Sequence, residues 1–378
     1  MKKKKIAFII ESLDLGGAEK SLVTLLQNMD YSRFEIDLLT LVEDGIFSEL
    51  VPEEVNREPI RMRRISLFQR LRFFLHKKMT RKLHASQVLW NITKDNYLSY
   101  PTKYDVAIAY SQGFATYYVD KCIQAPVKYC WINIDYTKAG YNMAFDYPFY
   151  QRYSKVVSVS PEVKEGLKKE LDRIGKRLDV AIVKDITDKK IVQLQADRYM
   201  PTEFSPNKIS IVTVCRLAKQ KGLHLAVEAC ERLVKRGLQI EWFVVGEGRE
   251  RAYLEHLIQD KGIESDMKLL GARPNPYPYM KHCDIYVQTS LFEGLGLSVI
   301  EASYLNKPIV CTDFPTAFSI LRDGETGLIV EMDAESIANQ ISRLISDENL
   351  KNRLITNLEK QENDDKEQTL AQIEKLLS

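Results

Sequence analysis

The stretch Asp284–Thr312, DIYVQTSLFEGLGLSVIEASYLNKPIVCT, predicts a strand, a glycine loop, a helix and a second strand in succession. Its β-rich start leads into a loop with two glycines and a segment of helical apolar spacing, and a second β-rich run follows Pro308. Each helical residue turns by about 100°, so Glu301 falls on the same face as Leu297 and Leu305. We therefore expect an acidic side chain that faces the protein interior.

A buried carboxylate is costly unless it is paired or hydrogen-bonded, so Glu301 needs a partner. Glu293 lies eight residues earlier, in the loop that leads into the same helix. The backbone N–H groups of residues 294–298 would face an anion, because a helix start has unpaired donors and a positive dipole end. The pattern indicates a phosphate site flanked by two hydroxyl-binding acids. A buried ion pair of Glu301 with a Lys or Arg is the alternative.

Length and composition indicate a globular protein of two domains, since 378 residues with 45% hydrophobic content exceed one typical core. The net charge is +2, but residues 1–190 contain 32 Lys/Arg against 24 Asp/Glu, and residues 191–378 contain 22 against 28. The six cysteines are far apart and form no CxxC pair, which argues against structural zinc and favours a reducing compartment. The N-terminal apolar run is too short for a signal peptide, and no segment is long enough to span a membrane. We expect a cytoplasmic protein.

The N-terminal region predicts a β-loop-α-β unit whose loop ends in Gly16 and Gly17. Two glycines at a helix start allow a phosphate or a sugar to approach the backbone closely. The loop is not GxGxxG and has no acid about 20 residues further on, so a dinucleotide site is a weak interpretation. An ordinary tight turn explains the glycines as well.

Residues 57–82 form a basic amphipathic stretch. It contains ten Lys/Arg but only one acid, Glu58, and the basic residues are interleaved with apolar side chains. Such segments adsorb to anionic membrane surfaces. The candidate membrane contacts are Arg70, Arg72, Lys77 and Lys78. A solvated basic helix and a nucleic-acid surface are the alternatives, but no nucleic-acid-binding motif accompanies the stretch.

The second half repeats the alternation of strands and helices, which predicts a second parallel sheet covered by helices on both faces. Arg216 and Lys221 follow its first strand, Ile209–Val214, and Glu293 and Glu301 follow a later strand. Because the carboxyl ends of parallel strands meet at one edge, we expect these four side chains at one crevice. Two cations and two acids suit a sugar diphosphate, although each cation taken alone is more often a surface charge.

Six ordered segments resemble the family 4 retaining glycosyltransferases of the bacterial surface-polysaccharide type. They are GGAEKSL, VCRLAKQKGLHLAVEA, FVVGEGRERAYL, KLLGARPNPYPYM, LFEGLGLSVIEASYLNKPIVCT with its E-x7-E motif, and LRDGETGLIV. The resemblance implies the α/β fold class GT-B, two Rossmann-like doubly wound parallel-sheet domains facing across a cleft. We expect an acceptor-binding domain at residues 1–190, a nucleotide-sugar domain at 205–360, and a helix within 361–378 that crosses back to the first domain.

The resemblance also implies roles for individual residues. Arg216 and Lys221 would hold the diphosphate, Glu293 the donor sugar hydroxyls, and Glu301 the ribose hydroxyls. The remaining donor-binding candidates are Gly16, Gly17, Gly294, Leu295, Gly296, Leu297, and, beside the base, Arg273 and Asn275. Acceptor-binding candidates are Ser111, Gln112 and Gly113, which follow a predicted strand. No metal or other cofactor is expected, and a UDP-sugar is expected in preference to a GDP-sugar.

One departure from the family concerns Asn133, where relatives with a similar segment have a histidine near the donor sugar. The chain has Trp131-Ile132-Asn133-Ile134-Asp135-Tyr136, and asparagine can hydrogen-bond a hydroxyl but cannot become cationic. Either the histidine only forms hydrogen bonds, or activity here is weakened, redirected or absent. The catalytic candidates are Glu293, Asn133 and Asp135, although Asp135 is equally explained as the end of a strand.

The resulting hypothesis is an enzyme that transfers a hexose or N-acetylhexosamine from a nucleotide sugar to a lipid-linked saccharide at the cytoplasmic membrane face. It would be peripherally associated with the inner face of the membrane, and its product would be a capsule or exopolysaccharide intermediate. A catalytically silent GT-B protein that binds or activates a partner glycosyltransferase is the alternative from another class. A third is a soluble enzyme of the same fold, such as a nucleotide-sugar epimerase. The spacing of residues in the sequence does not reveal the base, the sugar, the acceptor linkage or the oligomeric state.

Overall fold

The described residues of the computed structural model are 2–14, 16–43, 45–79, 83–361 and 366–377, with the backbone alone for residues 74–79. The chain divides into two compact units. The first holds Met1–Asp14, Ala18–Ile186 and Glu367–Ser378, and the second holds Leu15–Gly17 and Thr187–Lys366.

The first unit is built on a seven-stranded parallel sheet. Its strands are β1 (Lys4–Ile10), β2 (Phe34–Thr40), β3 (Asn56–Pro59), β4 (Val106–Ala109), β5 (Val127–Ile132), β6 (Lys155–Ser158) and β7 (Val180–Ile182). The connecting helices are α1 (Gly17–Gln27), α2 (Leu67–Met79), α3 (Ala85–Thr93), α4 (Phe114–Cys122), α5 (Met143–Tyr150) and α6 (Pro161–Arg173). The strand order is β3-β2-β1-β4-β5-β6-β7, so the chain winds outward from β1 in both directions.

The second unit repeats this plan with six parallel strands. They are β8 (Ile209–Val214), β9 (Ile240–Val245), β10 (Met267–Gly271), β11 (Ile285–Gln288), β12 (Ile309–Thr312) and β13 (Leu328–Val330), in the order β10-β9-β8-β11-β12-β13. Its helices are α7 (Lys189–Ala196), α8 (Leu223–Lys235), α9 (Arg251–Lys261), α10 (Tyr277–His282), α11 (Leu297–Tyr304), α12 (Ala317–Ile320), α13 (Ala334–Ser346) and α14 (Glu348–Glu359). Every residue of β9 is buried, because helices cover both faces of the sheet. The predicted pair of Rossmann-like parallel-sheet domains is confirmed.

The last helix, α15 (Lys366–Leu377), packs on the first unit. Its buried side chains include Ile373 and Leu377. Two donors of the first sheet satisfy carbonyl groups at its end. Lys4 Nζ donates to the Leu377 carbonyl at 3.1 Å, and the Tyr129 hydroxyl donates to the Leu376 carbonyl at 2.9 Å. Residues 362–365, within the predicted final segment, lie outside the described part of the chain.

The structure differs from the sequence-based expectation in the basic stretch 57–82. Its first residues extend the sheet as β3, and α2 begins only at Leu67, where Ser66 and Gln69 form reciprocal side-chain-to-backbone hydrogen bonds of 3.0 and 3.2 Å. The strand β3 at the start of this stretch was not predicted. The reason is that β3 is an edge strand with polar side chains, which leaves no apolar pattern to detect.

Between β7 and β8 the chain forms one helix, α7. Its residues Val192 and Ala196 are 1% and 0% exposed within an apolar cluster of the second unit. Exposed Ile191 and Leu194 on the other side of α7 obscure the helical spacing in the sequence.

Candidate active site

The first feature of the site is an ion pair between Lys221 and Glu293 in the second unit. Lys221 Nζ lies 2.6 Å from Glu293 Oε1 and 2.8 Å from Oε2, and the two side chains are only 14% and 7% exposed. The Ser290 hydroxyl donates a further hydrogen bond of 2.6 Å to Glu293 Oε1. A buried ion pair is stable only when such additional hydrogen bonds satisfy its remaining atoms. The structure therefore brings together one predicted cation and one predicted acid.

The loop after β8 reaches Glu293 because Gly222 allows two backbone segments to meet. Gly222 has φ +58°, and a Cβ at this position would lie 2.1 Å from the carbonyl oxygen of Thr289. The Thr289 hydroxyl in turn donates to the Lys221 carbonyl at 2.9 Å. The position of Lys221 thus depends on a residue without a side chain.

Replacing Gly222 with alanine is expected to lower the free energy of unfolding by about 3 kcal/mol, because the new methyl group meets backbone that cannot move away. Gly237→Ala is the matched control, since Gly237 has φ +78° and a Cβ at this position would have no neighbour within 4 Å. It should cost only about 1 kcal/mol, the strain of a left-handed alanine. Chemical denaturation of both variants measures the difference, and equal losses would show that the Thr289 contact is not tight.

Glu301 lies in the second turn of α11 and is 2% exposed, as the helical spacing predicts. The Tyr277 hydroxyl donates to Glu301 Oε1 at 3.3 Å. Burial, and after it the charge of Glu301, raise the pKa of Tyr277 well above its usual value, so this hydroxyl remains a donor. Gly296 caps the start of this helix with φ +82°, and a Cβ at this position would lie 2.9 Å from Ile320 Cδ1.

Gln288 connects the two parts of the site and was not predicted. Its amide nitrogen donates to Ser290 Oγ at 2.7 Å and to Glu293 Oε1 at 3.3 Å. Its amide oxygen accepts from the Tyr286 hydroxyl at 2.8 Å and from Ser298 Oγ on α11 at 3.3 Å. A polar residue at the end of the apolar strand β11 is the signal in the sequence that could have identified it.

The other donor-binding candidates of the second unit differ in how far their side chains are already engaged in contacts within the protein. Arg216 is exposed, and its side chain forms no ion pair or hydrogen bond with the described residues. Arg273 lies 3.4 Å from the Tyr279 hydroxyl. Asn275 donates to the Gln195 carbonyl at 2.8 Å and accepts from the Tyr277 N–H at 3.2 Å. Arg216 is therefore the cation available for an external anion, whereas Asn275 already stabilises the start of α10.

Gly294, Leu295 and Leu297 are buried, and with Gly296 they complete the turn into α11. Gly16 and Gly17 lie at the start of α1, as predicted, within a loop whose residue 15 is not described. Whether these residues contact a donor stays a prediction.

The candidates of the first unit lie where β4 and β5 end. The Asn133 N–H donates to Gln112 Oε1 at 2.9 Å, which ties the two turns together. Asp135 Oδ1 accepts from the Lys138 N–H at 3.0 Å, a contact that stabilises the turn itself. The Ser111 carbonyl accepts from Thr116, and Gly113, with φ +84°, begins α4. Asp135 thus has a structural role in this turn, and the functional roles of all five stay predictions.

The start of α2 presents an exposed surface that is both apolar and basic. Leu67, Phe68 and Leu71 are 82%, 73% and 59% exposed, and Arg70 and Arg72 are exposed beside them. The side chains of Lys77 and Lys78, two further predicted membrane contacts, lie outside the described part of the structure. We call Leu67, Phe68, Arg70, Leu71 and Arg72 the α2 surface.

Within the part of the chain that the structure describes, no helix combines the length and apolar character needed to cross a bilayer. The same residues bring no group of three or more His, Cys, Asp or Glu side chains together as a metal site. The expectation that the protein needs no metal stays a prediction.

Comparisons with known proteins show similarity to glycosyltransferases. Residues 199–361 match the family model described as "Glycosyl transferases group 1". The chain is 27% identical to the N-acetylgalactosamine-N,N'-diacetylbacillosaminyl-diphospho-undecaprenol 4-alpha-N-acetylgalactosaminyltransferase of Campylobacter jejuni, with 92% of each protein covered. It is 26% identical to the lipopolysaccharide core biosynthesis glycosyltransferase LpsE of Rhizobium meliloti, over 55% of this chain and 60% of that protein.

The fold is similar to that of solved structures over the whole chain. The crystal structure of Anabaena HepE in complex with UDP and glucose superimposes with a TM-score of 0.73 at 19% identity, covering 99% of each chain. At this identity the likeness shows the GT-B fold.

Proposed function

We propose that the chain transfers a sugar from a nucleotide diphosphate sugar to a lipid-linked saccharide, a proposal supported by the match of residues 199–361 to the glycosyl transferases group 1 family model. The transfer would retain the anomeric configuration, need no metal, and take place at the cytoplasmic membrane face during surface-polysaccharide synthesis. The observation that carries the proposal is the buried Lys221–Glu293 pair beside the start of α11, with the buried acid Glu301 one turn further on.

The donor would be bound by charges that already lie in place. The Lys221 ammonium group has three N–H donors, two of which contact Glu293, so a phosphate oxygen could accept the third. Arg216, exposed after β8, and the N-terminus of α11 would add positive charge around the diphosphate. Together they would stabilise the diphosphate as it leaves, while Glu293 accepts hydrogen bonds from the donor sugar.

A UDP-sugar is proposed in preference to a GDP-sugar. The supporting observation is the likeness of fold to HepE, whose crystal structure contains UDP and glucose. Glu301 would accept the two ribose hydroxyls, because it is a buried carboxylate one turn into α11 and a carboxylate offers two oxygens as hydrogen-bond acceptors.

A lipid-linked acceptor is proposed from two observations. The Campylobacter jejuni relative is named for a diphospho-undecaprenol acceptor. The α2 surface of this chain combines three exposed apolar side chains with two exposed arginines, which is the composition of interfacial membrane-binding helices.

The donor part of the proposal is tested by incubating purified protein with UDP- and GDP-sugars and measuring nucleotide release. Release that increases with a lipid-linked saccharide, that persists in a chelator, and that gives a product of unchanged anomeric configuration by NMR supports the proposal. If no nucleotide is released and none raises the melting temperature, the proposal is overturned in favour of a silent partner of another glycosyltransferase.

The membrane part predicts that Arg70→Ser with Arg72→Ser weakens binding to anionic vesicles about thirtyfold. Each basic residue near a lipid surface contributes about 1 kcal/mol, and the two losses add. The measurement is co-sedimentation with phosphatidylglycerol vesicles at low and high salt, because salt screens such contacts. Lys168→Ser with Lys169→Ser removes the same charge from an exposed part of α6 and is the matched control. An equal loss of vesicle binding in the two double variants, or no loss in either, contradicts the assignment of the α2 surface as the membrane contact.

A further inference from the structure

Polar side chains from four elements meet at the carboxyl edge of the first unit's sheet. Tyr110 follows β4, Asn133 follows β5, Asp185 lies three residues after β7, and Ser21 is on α1. Ser21 Oγ lies 3.0 Å from the Tyr110 hydroxyl and accepts the Ile186 N–H at 3.1 Å. Ser21 therefore fixes the backbone directly after Asp185 against α1 and β4.

Three polar atoms of this cluster are buried without a hydrogen-bond partner among the described residues. They are both amide atoms of Asn133, Oδ1 and Nδ2, and Oδ1 of Asp185. Leaving a buried donor or acceptor unpaired is costly, and most buried polar groups in native proteins have a partner. The Asn133 N–H donates to Gln112 Oε1, which fixes the backbone of this turn. The unpaired amide therefore does not result from a misplaced turn.

The electrostatic surroundings place Asp185 between its two protonation states near neutral pH. Burial raises the pKa of Asp185 to about 7. The nearby side chains of Ser21 and Asn133 oppose this shift as hydrogen-bonding groups, although neither forms a bond of normal geometry with Oδ1, and the charge of Glu19 raises the pKa further. The facing hydroxyl of Tyr110 has a pKa raised first by burial and then by Asp185. Glu19 is thus the charged group that acts on Asp185, and Tyr110 is the titratable group on which Asp185 acts in turn; neither is a cation that would keep Asp185 ionised.

We propose that Asp185 and Asn133 form a binding subsite for neighbouring hydroxyl groups of a saccharide. The proposal rests on the proposed function and assigns to its sugar substrate two residues of the first unit. One hydroxyl donates to Asp185 Oδ1 and accepts from Asn133 Nδ2, and an adjacent hydroxyl donates to Asn133 Oδ1. This arrangement satisfies all three unpaired atoms, and only ionised Asp185 offers acceptors alone.

Asp185→Asn tests the subsite because it keeps the size of the side chain and removes its titration. In the wild type, the KM of the saccharide substrate is expected to fall as the pH rises through about 7, the pKa of Asp185. In the variant the KM should be about tenfold higher at pH 8 and lack this pH dependence, which matches one charged hydrogen bond. Unchanged KM and pH profile in Asp185→Asn would overturn the proposal.

The donor sugar and the acceptor saccharide are distinguished by measuring nucleotide-sugar hydrolysis without acceptor. If the hydroxyls belong to the donor, Asp185→Asn raises the KM of hydrolysis, and if they belong to the acceptor, only transfer is affected. Asp146→Asn is the control, because this buried carboxyl has a pKa raised to about 6 by burial but accepts hydrogen bonds from Tyr117 and Tyr136. It should leave the pH dependence of the saccharide KM unchanged.

Folding gives a readout that does not need activity. The folded-state pKa of Asp185 is raised above its ordinary 3.8, so its stabilising contribution is present below pH 4 and is lost as the pH rises through about 7. Asp185→Asn should therefore melt at a higher temperature than the wild type at pH 8, with the difference vanishing near pH 4. A melting-temperature difference that stays the same from pH 4 to pH 8 would show that folding does not raise the pKa of Asp185, and would overturn its role.

Failure of the proposed function is separated from failure of this subsite by saturation-transfer NMR with methyl glycosides, which needs no turnover. If the wild type releases no nucleotide yet binds a glycoside that Asp185→Asn and Asn133→Ala do not bind, the subsite stands and the transferase does not. If the wild type turns over and both variants match it, the transferase stands and the subsite is wrong. Absence of both turnover and glycoside binding overturns both.

Discussion

Glu293→Ala is expected to reduce sugar transfer by about a thousandfold, equivalent to about 4 kcal/mol. Two losses combine in this variant. If Glu293 binds the donor sugar as proposed, the hydrogen bonds of its carboxylate to the sugar are lost. In addition, Lys221, only 14% exposed, remains as a charge without its partner. Removing one member of a buried ion pair typically costs about 3–5 kcal/mol of stability. Steady-state transfer assays and chemical denaturation on the same preparations measure the two effects.

A double variant separates these two losses. Lys221→Met with Glu293→Gln removes both charges, so it should recover most of the stability lost in Glu293→Ala but none of the turnover. Asp266→Ala is the matched control, because Asp266 pairs with the partly buried Lys208 at 2.9 Å in the same unit. It should lower stability and leave turnover unchanged. Turnover within tenfold of wild type in Glu293→Ala would remove this residue from the reaction.

The local spacing of apolar residues predicted the organising element of the second unit well. The helix after Gly296 buries Glu301 because a period of about 3.6 residues determines which side chains face the sheet, whatever their chemistry. The strands Ile209–Val214 and Ile240–Val245 were similarly evident, because strands buried on both faces are continuous apolar runs.

The pairing between distant residues could not be predicted in the same way. Lys221 and Glu293 are separated by 72 positions, and no local period encodes the turn at Gly222 that brings them into contact. The sequence indicated one crevice for both residues. It assigned Lys221 to the diphosphate alone, and in the structure this lysine pairs with Glu293.

Asp185 was missed for a different reason. It follows β7, a strand of only three residues, in a stretch where the hydrophobic pattern is too short to show direction or burial. Asn133 attracted notice only through the family resemblance, and its two unpaired amide atoms become visible only when side-chain geometry is available. Functional residues in short, irregular segments are positioned by tertiary contacts such as Ser21 to Ile186, which sequence spacing does not encode.

Glu301→Ala is expected to weaken UDP binding about a hundredfold. If Glu301 accepts both ribose hydroxyls, two hydrogen bonds to a charged group are lost, each contributing at least about 1.5 kcal/mol. Tyr277→Phe is the control for the surrounding packing. It removes the 3.3 Å hydrogen bond to Glu301 Oε1 and should change affinity by no more than about threefold. Isothermal titration calorimetry with UDP measures all three proteins.

Ligand variants show whether the ribose itself is the contact. The wild type should bind 2′,3′-dideoxy-UDP about a hundredfold more weakly than UDP, whereas Glu301→Ala should bind the two ligands alike, because the acceptor of both hydroxyls is gone. Glu301→Gln preserves the volume of a side chain that is 2% exposed. Its discrimination between the two ligands should lie between that of the wild type and that of Glu301→Ala, since an amide retains one acceptor oxygen. If Glu301→Ala still discriminates between the two nucleotides, the ribose is recognised elsewhere, and the buried acid of α11 serves the fold through its contact with Tyr277.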